Sequence, residues 1–387
     1  MRDELRRALL DSRAPDEEAA RERAWGTVRA AYESREPVSW PVRHARPLVA
    51  LAVAGALIAA AFTPPGEAVV NEVRDAIGRE QTVGVPQARE ALLSLPASGR
   101  LLVESRSGSW VVRPDGSRRS LGDFREPAWS PHGLFVTAVR DHELAALDPK
   151  GETRWSLPRR GQVASPTWTG TRTDTDIAYL HDRELRVVAG DGEDDRLVAA
   201  NAAPIAPAWR PGPDRVLAYV ARPSRLRVLD AETGSELWSA RMSDPKSASL
   251  EWSHDGRRLL LEEGRRIRVF TSGGRVVHAL TAPAGRFFVD AAFRPGTQAF
   301  AYTTVQPAVN RGVVHGTDGA PLFRGEGWFA SLTWSPDGRW LTFTWPEADQ
   351  WVFLRTPGIR RIQAASNLSR QFGAFAHITG WCCASPR

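Results

Sequence analysis

Alternation of apolar and polar positions dominates the chain beyond residue 100. In Trp340-Leu341-Thr342-Phe343-Thr344-Trp345 the residues Leu341, Phe343 and Trp345 share one face, and Leu217-Ala218-Tyr219-Val220 and Phe300-Ala301-Tyr302 repeat the pattern. A period of two in aromatic and β-branched residues predicts strands packed between neighbouring sheets. A short unit led by an aromatic residue precedes such stretches: Trp129-Ser-Pro-His-Gly, Trp168-Thr-Gly, Trp209-Arg-Pro-Gly-Pro, Trp252-Ser-His-Asp-Gly, Phe293-Arg-Pro-Gly and Trp334-Ser-Pro-Asp-Gly. These units recur every 39 to 43 residues, the period of a four-stranded propeller blade. Within the unit, Pro presets one torsion, Asp bonds its own backbone and Gly takes a positive φ, so the chain reverses between two strands.

The ends of the array complete each other. Residues 101–121 supply strands of a blade without a leading unit, and Ile378-Thr379-Gly380-Trp381 is a leading unit without a blade. Joining them closes the ring and removes exposed sheet edges. The expected fold is therefore all-β, a seven-bladed β-propeller over 100–387 closed by its C-terminal strand. Trp129, Trp168, Trp209, Trp252, Phe293, Trp334 and Trp381 are read as structural anchors that fill the wedges between blades.

The repeat resembles the WD40-like repeats of TolB-type propellers, with Trp334 to Gly338 matching fully and Trp168 and Phe293 keeping part of the pattern. Val228-Leu-Asp-Ala-Glu-Thr-Gly-Ser-Glu-Leu-Trp238, and more loosely Leu147 to Trp155, resemble the repeats of quinoprotein-type propellers. Both resemblances imply one architecture and leave the ligand open, since such folds carry many activities.

The N-terminal quarter reads differently. Residues 1–46 form an expected cytoplasmic helical tail of mixed charge, in which Trp25, Val28, Ala31 and Tyr32 make an apolar stripe that could dock on a regulatory protein. Pro47 to Phe62 contains no charged residue, and at about 1.5 Å per residue it makes a short membrane span, assigned to 47–65. A cleaved signal peptide is the competing reading, weakened by the long segment ahead of the apolar run. Arg35, Arg43 and Arg46 precede the span while Glu67, Glu72 and Asp75 follow it, so the tail is expected inside and the propeller outside the cytoplasm, as in a bacterial envelope protein. Residues 66–99 are expected to be a helical juxtamembrane linker. This layout is similar to that of membrane-bound anti-sigma factors, although residues 1–46 lack the zinc motif of their common domain.

Composition adds less. The net charge of +6 comes from scattered arginines rather than a dense run, which argues against nucleic acid as a partner. The eight histidines fall singly, and the sequence shows neither metal-ligand spacing nor a nucleophile motif. No catalytic, cofactor-binding or metal-ligating residue is therefore assigned, and no cofactor is expected. Cys382 and Cys383, the only cysteines, are adjacent. An oxidising compartment would allow a vicinal disulfide; two reduced, partly buried thiols are the plainer reading. Quinoprotein dehydrogenases resemble this chain in having such a pair, but there it lies in a cofactor pocket. The favoured function is a non-catalytic binding or sensing module for a protein, peptide or glycan, with the tail read as a solvated anchor that sets orientation and signalling through it as the other reading; the alternative is a quinoprotein-like or hydrolytic enzyme.

Overall fold

The computed structural model describes residues 94–243, 248–359 and 361–383. They form seven four-stranded antiparallel sheets. Six sheets are consecutive in sequence: β4–β7 (Arg125–Trp129, Val136–Arg140, Glu143–Leu147, Thr153–Pro158), β8–β11 (Val163–Gly170, Thr175–His181, Glu184–Ala189, Arg196–Ala199), β12–β15 (Ala208–Trp209, Val216–Ala221, Arg225–Asp230, Glu236–Arg241), β16–β19 (Ala248–Trp252, Arg258–Glu263, Arg266–Thr271, Val276–Thr281), β20–β23 (Phe287–Phe293, Phe300–Gln306, Arg311–Gly316, Pro321–Glu326) and β24–β27 (Ala330–Trp334, Trp340–Trp345, Gln350–Arg355, Arg361–Ser366). The seventh joins β28 (His377–Cys382) to β1–β3 (Arg100–Ser105, Gly108–Val112, Arg118–Gly122). Within it Arg100 lies opposite Cys382, Leu101 opposite Trp381 and Glu104 opposite His377. The first strand of each blade lies against the first strands of both neighbours, from β28 through β4, β8, β12, β16, β20 and β24 back to β28. The ring is closed.

Burial departs from simple alternation. Every residue of β13 and β25 is buried, because a middle strand has another blade against each of its faces. Outer strands such as β19 alternate between exposed and half-buried positions, since one face meets solvent. The core is accordingly a series of wedges. One holds Phe323, Phe329, Leu341, Phe343 and Trp345 between two blades, and the seam wedge holds Leu101, Val103, Phe353, Ile378 and Trp381.

The turn of the repeat is explained atom by atom at Trp334 to Trp340. Ser335 Oγ accepts the Trp340 N–H at 2.9 Å, Asp337 Oδ1 accepts the Arg339 N–H at 3.0 Å, and Gly338 donates to the Ser335 carbonyl at 2.8 Å. Gly338 has φ +65°, and a Cβ there would stand 3.0 Å from the Pro295 carbonyl of the preceding blade. The glycine thus serves both the local turn and the blade-to-blade approach.

Residues 94–99, the described part of the expected linker, are bends rather than helix. Leu95 is buried in the seam wedge and donates its N–H to the Pro114 carbonyl, so the last residues before β1 belong to the propeller. No helix among the described residues is long and apolar enough to cross a membrane. The expected tail, the span at 47–65 and the stripe Trp25, Val28 and Tyr32 lie outside the described residues.

Candidate functional site

The first strands form the channel wall, and their sequences align on the aromatic anchors. The anchors tie blades together: the indole N–H of Trp209 donates to Thr167 O at 3.1 Å, that of Trp252 to Ala208 O at 3.1 Å and that of Trp334 to Ala292 O at 3.2 Å. In each case the acceptor is the residue just before the anchor of the preceding blade. Trp381 instead donates to Ser98 O at 3.2 Å. Phe293 has no side-chain N–H to offer and packs edge-on against Phe300, while the indole nitrogens of Trp129 and Trp168 have no hydrogen-bond partner.

A second set of ties, invisible in the repeat consensus, is made by carboxylates. Glu104 accepts the Glu126 N–H at 3.0 Å, and Glu126 in turn accepts the Ser165 N–H at 2.5 Å. Glu251 accepts the Phe293 N–H at 2.9 Å, and Asp290 accepts the Leu332 N–H at 2.7 Å. Each carboxylate reaches the first strand of the next blade. The reason lies in the backbone: Glu126, Ser165 and Ser331 all have φ near +50° at bulges three residues before their anchors. A bulge leaves ladder N–H groups unpaired, and Glu104, Glu126 and Asp290 satisfy those at Glu126, Ser165 and Leu332, whereas the Phe293 N–H taken by Glu251 lies away from the β20 bulge.

Three of these acids are perturbed. Burial pushes Glu251 up to about 8, with Asp290 nearby adding to the shift against the opposing Phe293 hydrogen bond. Burial raises Asp290 to about 6, opposed by the N–H groups of Leu332, Ala291 and Ser331. Burial also raises Glu104. His377, on the wall at the seam, is lowered by burial. Glu251, Asp290 and Glu104 therefore hold their protons more tightly than free carboxyls, and His377 holds its proton less tightly than a free imidazole.

The rim beside this wall has a distinct chemistry on the β20–β23 blade. Phe287 begins β20, Val309 lies between β21 and β22, and Trp328 follows β23, so all three stand at one end of the sheet; they are 42%, 55% and 39% exposed. Arg286 and Arg311 flank them, Arg265 and Arg266 lie on the corresponding turn of the preceding blade, and Glu326 and Glu347 are the nearby acids. Large apolar side chains grouped on a basic rim are unusual for a solvated surface.

Histidines and turn acids singled out by sequence take local roles. Asp255 accepts the Ser253 hydroxyl at 2.7 Å and the Arg257 N–H at 3.1 Å within its turn. His315 stacks on Tyr302 with ring centroids 4.8 Å apart. Among the described residues no group of His, Cys, Asp or Glu is arranged to hold a metal ion. Cys382 and Cys383 are bonded to each other at the opposite end of the ring from the aromatic rim. Sequence reasoning missed the wall carboxylates and the rim. The available signal was an acid one or three residues before an anchor, at Glu126, Glu251 and Asp290.

No family model matches this chain, and no curated protein matches it. Among solved structures it is similar to the β-propeller domain of Myceliophteria thermophila Cps50 (Swd1), with 14% identity over 68% of this chain and 99% of that one, at a TM-score of 0.51. Kuenenia stuttgartiensis hydrazine synthase is similar over 60% of this chain and 77% of that one, with 15% identity and a TM-score of 0.46. The first likeness shows the propeller fold alone.

Proposed function

We propose that this chain is a binding or sensing module that receives an acidic protein or peptide segment on the rim and channel mouth of its propeller. The observation that carries the reading is the cluster of Phe287, Val309 and Trp328 beside Arg286 and Arg311. Aromatic and aliphatic anchors supply buried area, and arginines at the edge of the patch favour an acidic partner. A glycan would use Trp328 for stacking but gain little from Val309. The chain enters the propeller through Leu95 and Arg100, at the end that carries the Trp-Ser-Pro-Asp-Gly turns. A single-pass anchor at 47–65, with residues 1–46 cytoplasmic, would leave the rim clear of that attachment. Ligand capture outside would then be passed to a cytoplasmic protein held by Trp25, Val28 and Tyr32.

The test uses the full-length chain with arrays of acidic peptides, charge-reversed peptides and oligosaccharides. Wild type should retain acidic peptides bearing aromatic residues. Trp328→Ala with Arg311→Glu should weaken retention by at least about tenfold, the scale of one lost hot spot, without changing circular dichroism. Equal retention by wild type and variant would remove the rim from the site, and preferential retention of oligosaccharides would make the ligand a glycan.

A further inference from the structure

The seam contains a version of the repeat turn assembled from two separate pieces of chain. In the preceding blade the turn Trp-Ser-Pro-Asp-Gly-Arg runs without interruption from Trp334 to Arg339. At the seam Trp381-Cys382 occupies the Trp-Ser positions, and Gly99-Arg100 leads into β1 at the positions of Arg339-Trp340, since Leu101 lies opposite Trp381 as Leu341 lies opposite Trp334. Gly99, one position later than the repeat glycine, makes a similar approach to the preceding blade. Gly99 has φ +101°, and its Cβ would stand 3.1 Å from the ring of Pro336 in the preceding blade. The Gly256 turn likewise abuts Pro211, and the Gly338 turn abuts Pro295.

The next turn shows what the cysteines replace. Where Gly256 and Gly338 meet a proline carbonyl, Gly133 meets sulfur: a Cβ there would stand 3.1 Å from Cys382 Sγ, 3.2 Å from Cys383 Sγ and 2.8 Å from Arg100 Nη2. Cys383 Sγ also lies 3.6 Å from Pro131 O, and Cys382 Sγ 3.9 Å from Ser130 O. Cys382 stands in the position of Ser335, so the seam has no hydroxyl to accept a backbone N–H as Ser335 accepts that of Trp340. The disulfide stands in its place.

The surroundings of the sulfurs are electropositive. The Arg100 guanidinium lies over the Trp129 ring at 4.7 Å and donates to the Gly133 carbonyl. Among the described residues no carboxylate pairs with it. Arg113 adds a second positive charge, and together with burial it lowers the Arg100 pKa. A half-buried cation without an anion, beside half-buried sulfur, favours thiolate over thiol.

We propose that Cys382–Cys383 is a thiol–disulfide exchange site for a small dithiol or a dithiol protein, whose reduced form is held as a thiolate by Arg100. One thiolate of the reductant attacks either sulfur, forming a mixed disulfide and releasing the other cysteine as a thiolate beside Arg100. The second reductant thiol then displaces the first cysteine, so two electrons and one proton pass to the pair, the other proton goes to solvent, and the reductant leaves as a disulfide. The exchange frees the two sulfurs from each other where β28 closes the ring on β1. It is independent of ligand binding at the rim.

The experiment treats full-length folded chain with dithiothreitol, removes the reductant, and follows iodoacetamide alkylation by mass spectrometry. Wild type should gain two adducts while its circular dichroism persists. Arg100→Gln should slow alkylation at neutral pH by several-fold, about tenfold for each unit that the thiol pKa rises, and Arg100→Lys should restore most of the rate. Cys382→Ser with Cys383→Gly, which keeps a residue able to hold the φ of +43° found at Cys383, controls for folding and should take no adduct. A pair that stays unmodified until the chain unfolds, or an alkylation rate indifferent to Arg100→Gln, would overturn the proposal.

Discussion

Replacing Glu251 by Gln tests whether the channel wall carries a neutral acid. The variant keeps an oxygen to accept the Phe293 N–H, bonded at 2.9 Å in the native protein, and removes only the ionisable group. Folding raises the Glu251 pKa from 4.5 to about 8. Between those values the folded chain keeps a proton that the unfolded chain has lost, so native stability is fully supported below pH 4.5, falls as pH rises and levels off above pH 8. At about 1.4 kcal/mol per unit the whole shift would be roughly 5 kcal/mol; water in the channel should reduce it to about 2–3 kcal/mol. Asp290 adds a smaller loss of the same sign, between 3.8 and about 6. Urea unfolding followed by tryptophan fluorescence, at intervals from pH 5 to pH 9, measures this directly. The variant should match wild type near pH 5 and exceed it by that margin near pH 9. Parallel pH profiles for the two proteins would show that Glu251 is charged in the fold and would refute the argument.

Deleting residues 377–387 removes Ile378 and Trp381, which are 3% and 8% exposed, together with the β1 pairing. At about 1.5–3 kcal/mol per buried side chain and about 1 kcal/mol per hydrogen bond, the loss should approach the whole stability of a domain, and thermal unfolding unchanged from wild type would contradict it. For the tail, protease added outside intact spheroplasts should remove the propeller and spare residues 1–46. Replacing Trp25 and Val28 with Ser should abolish co-purification of a cytoplasmic partner while leaving membrane insertion intact; a protected propeller would reverse the topology, and identical co-purification would end the docking role.

The sequence by itself determined the architecture because the repeat is a local signal. Turn chemistry at Pro336-Asp337-Gly338 and alternation in β25 are set by neighbours within a few residues, and their recurrence announces the blades. Even closure was legible, since the unmatched Trp381 and the incomplete blade at 101–121 have one mutual solution. Tertiary structure alone decided what each blade-linking acid does. Glu104 and Glu126 read as ordinary strand or loop acids, yet each satisfies an N–H on a different blade, and that pairing depends on bulges with no consensus mark in sequence. The rim is non-local in the same way, because Phe287, Val309 and Trp328 meet at one end of a blade only after four strands have folded back on each other. The cysteine pair shows the boundary most clearly. Adjacency was visible in the chain, but its place in a turn shared with Gly99 and Arg100 follows from ring closure, which brings together residues almost the full length of the propeller apart.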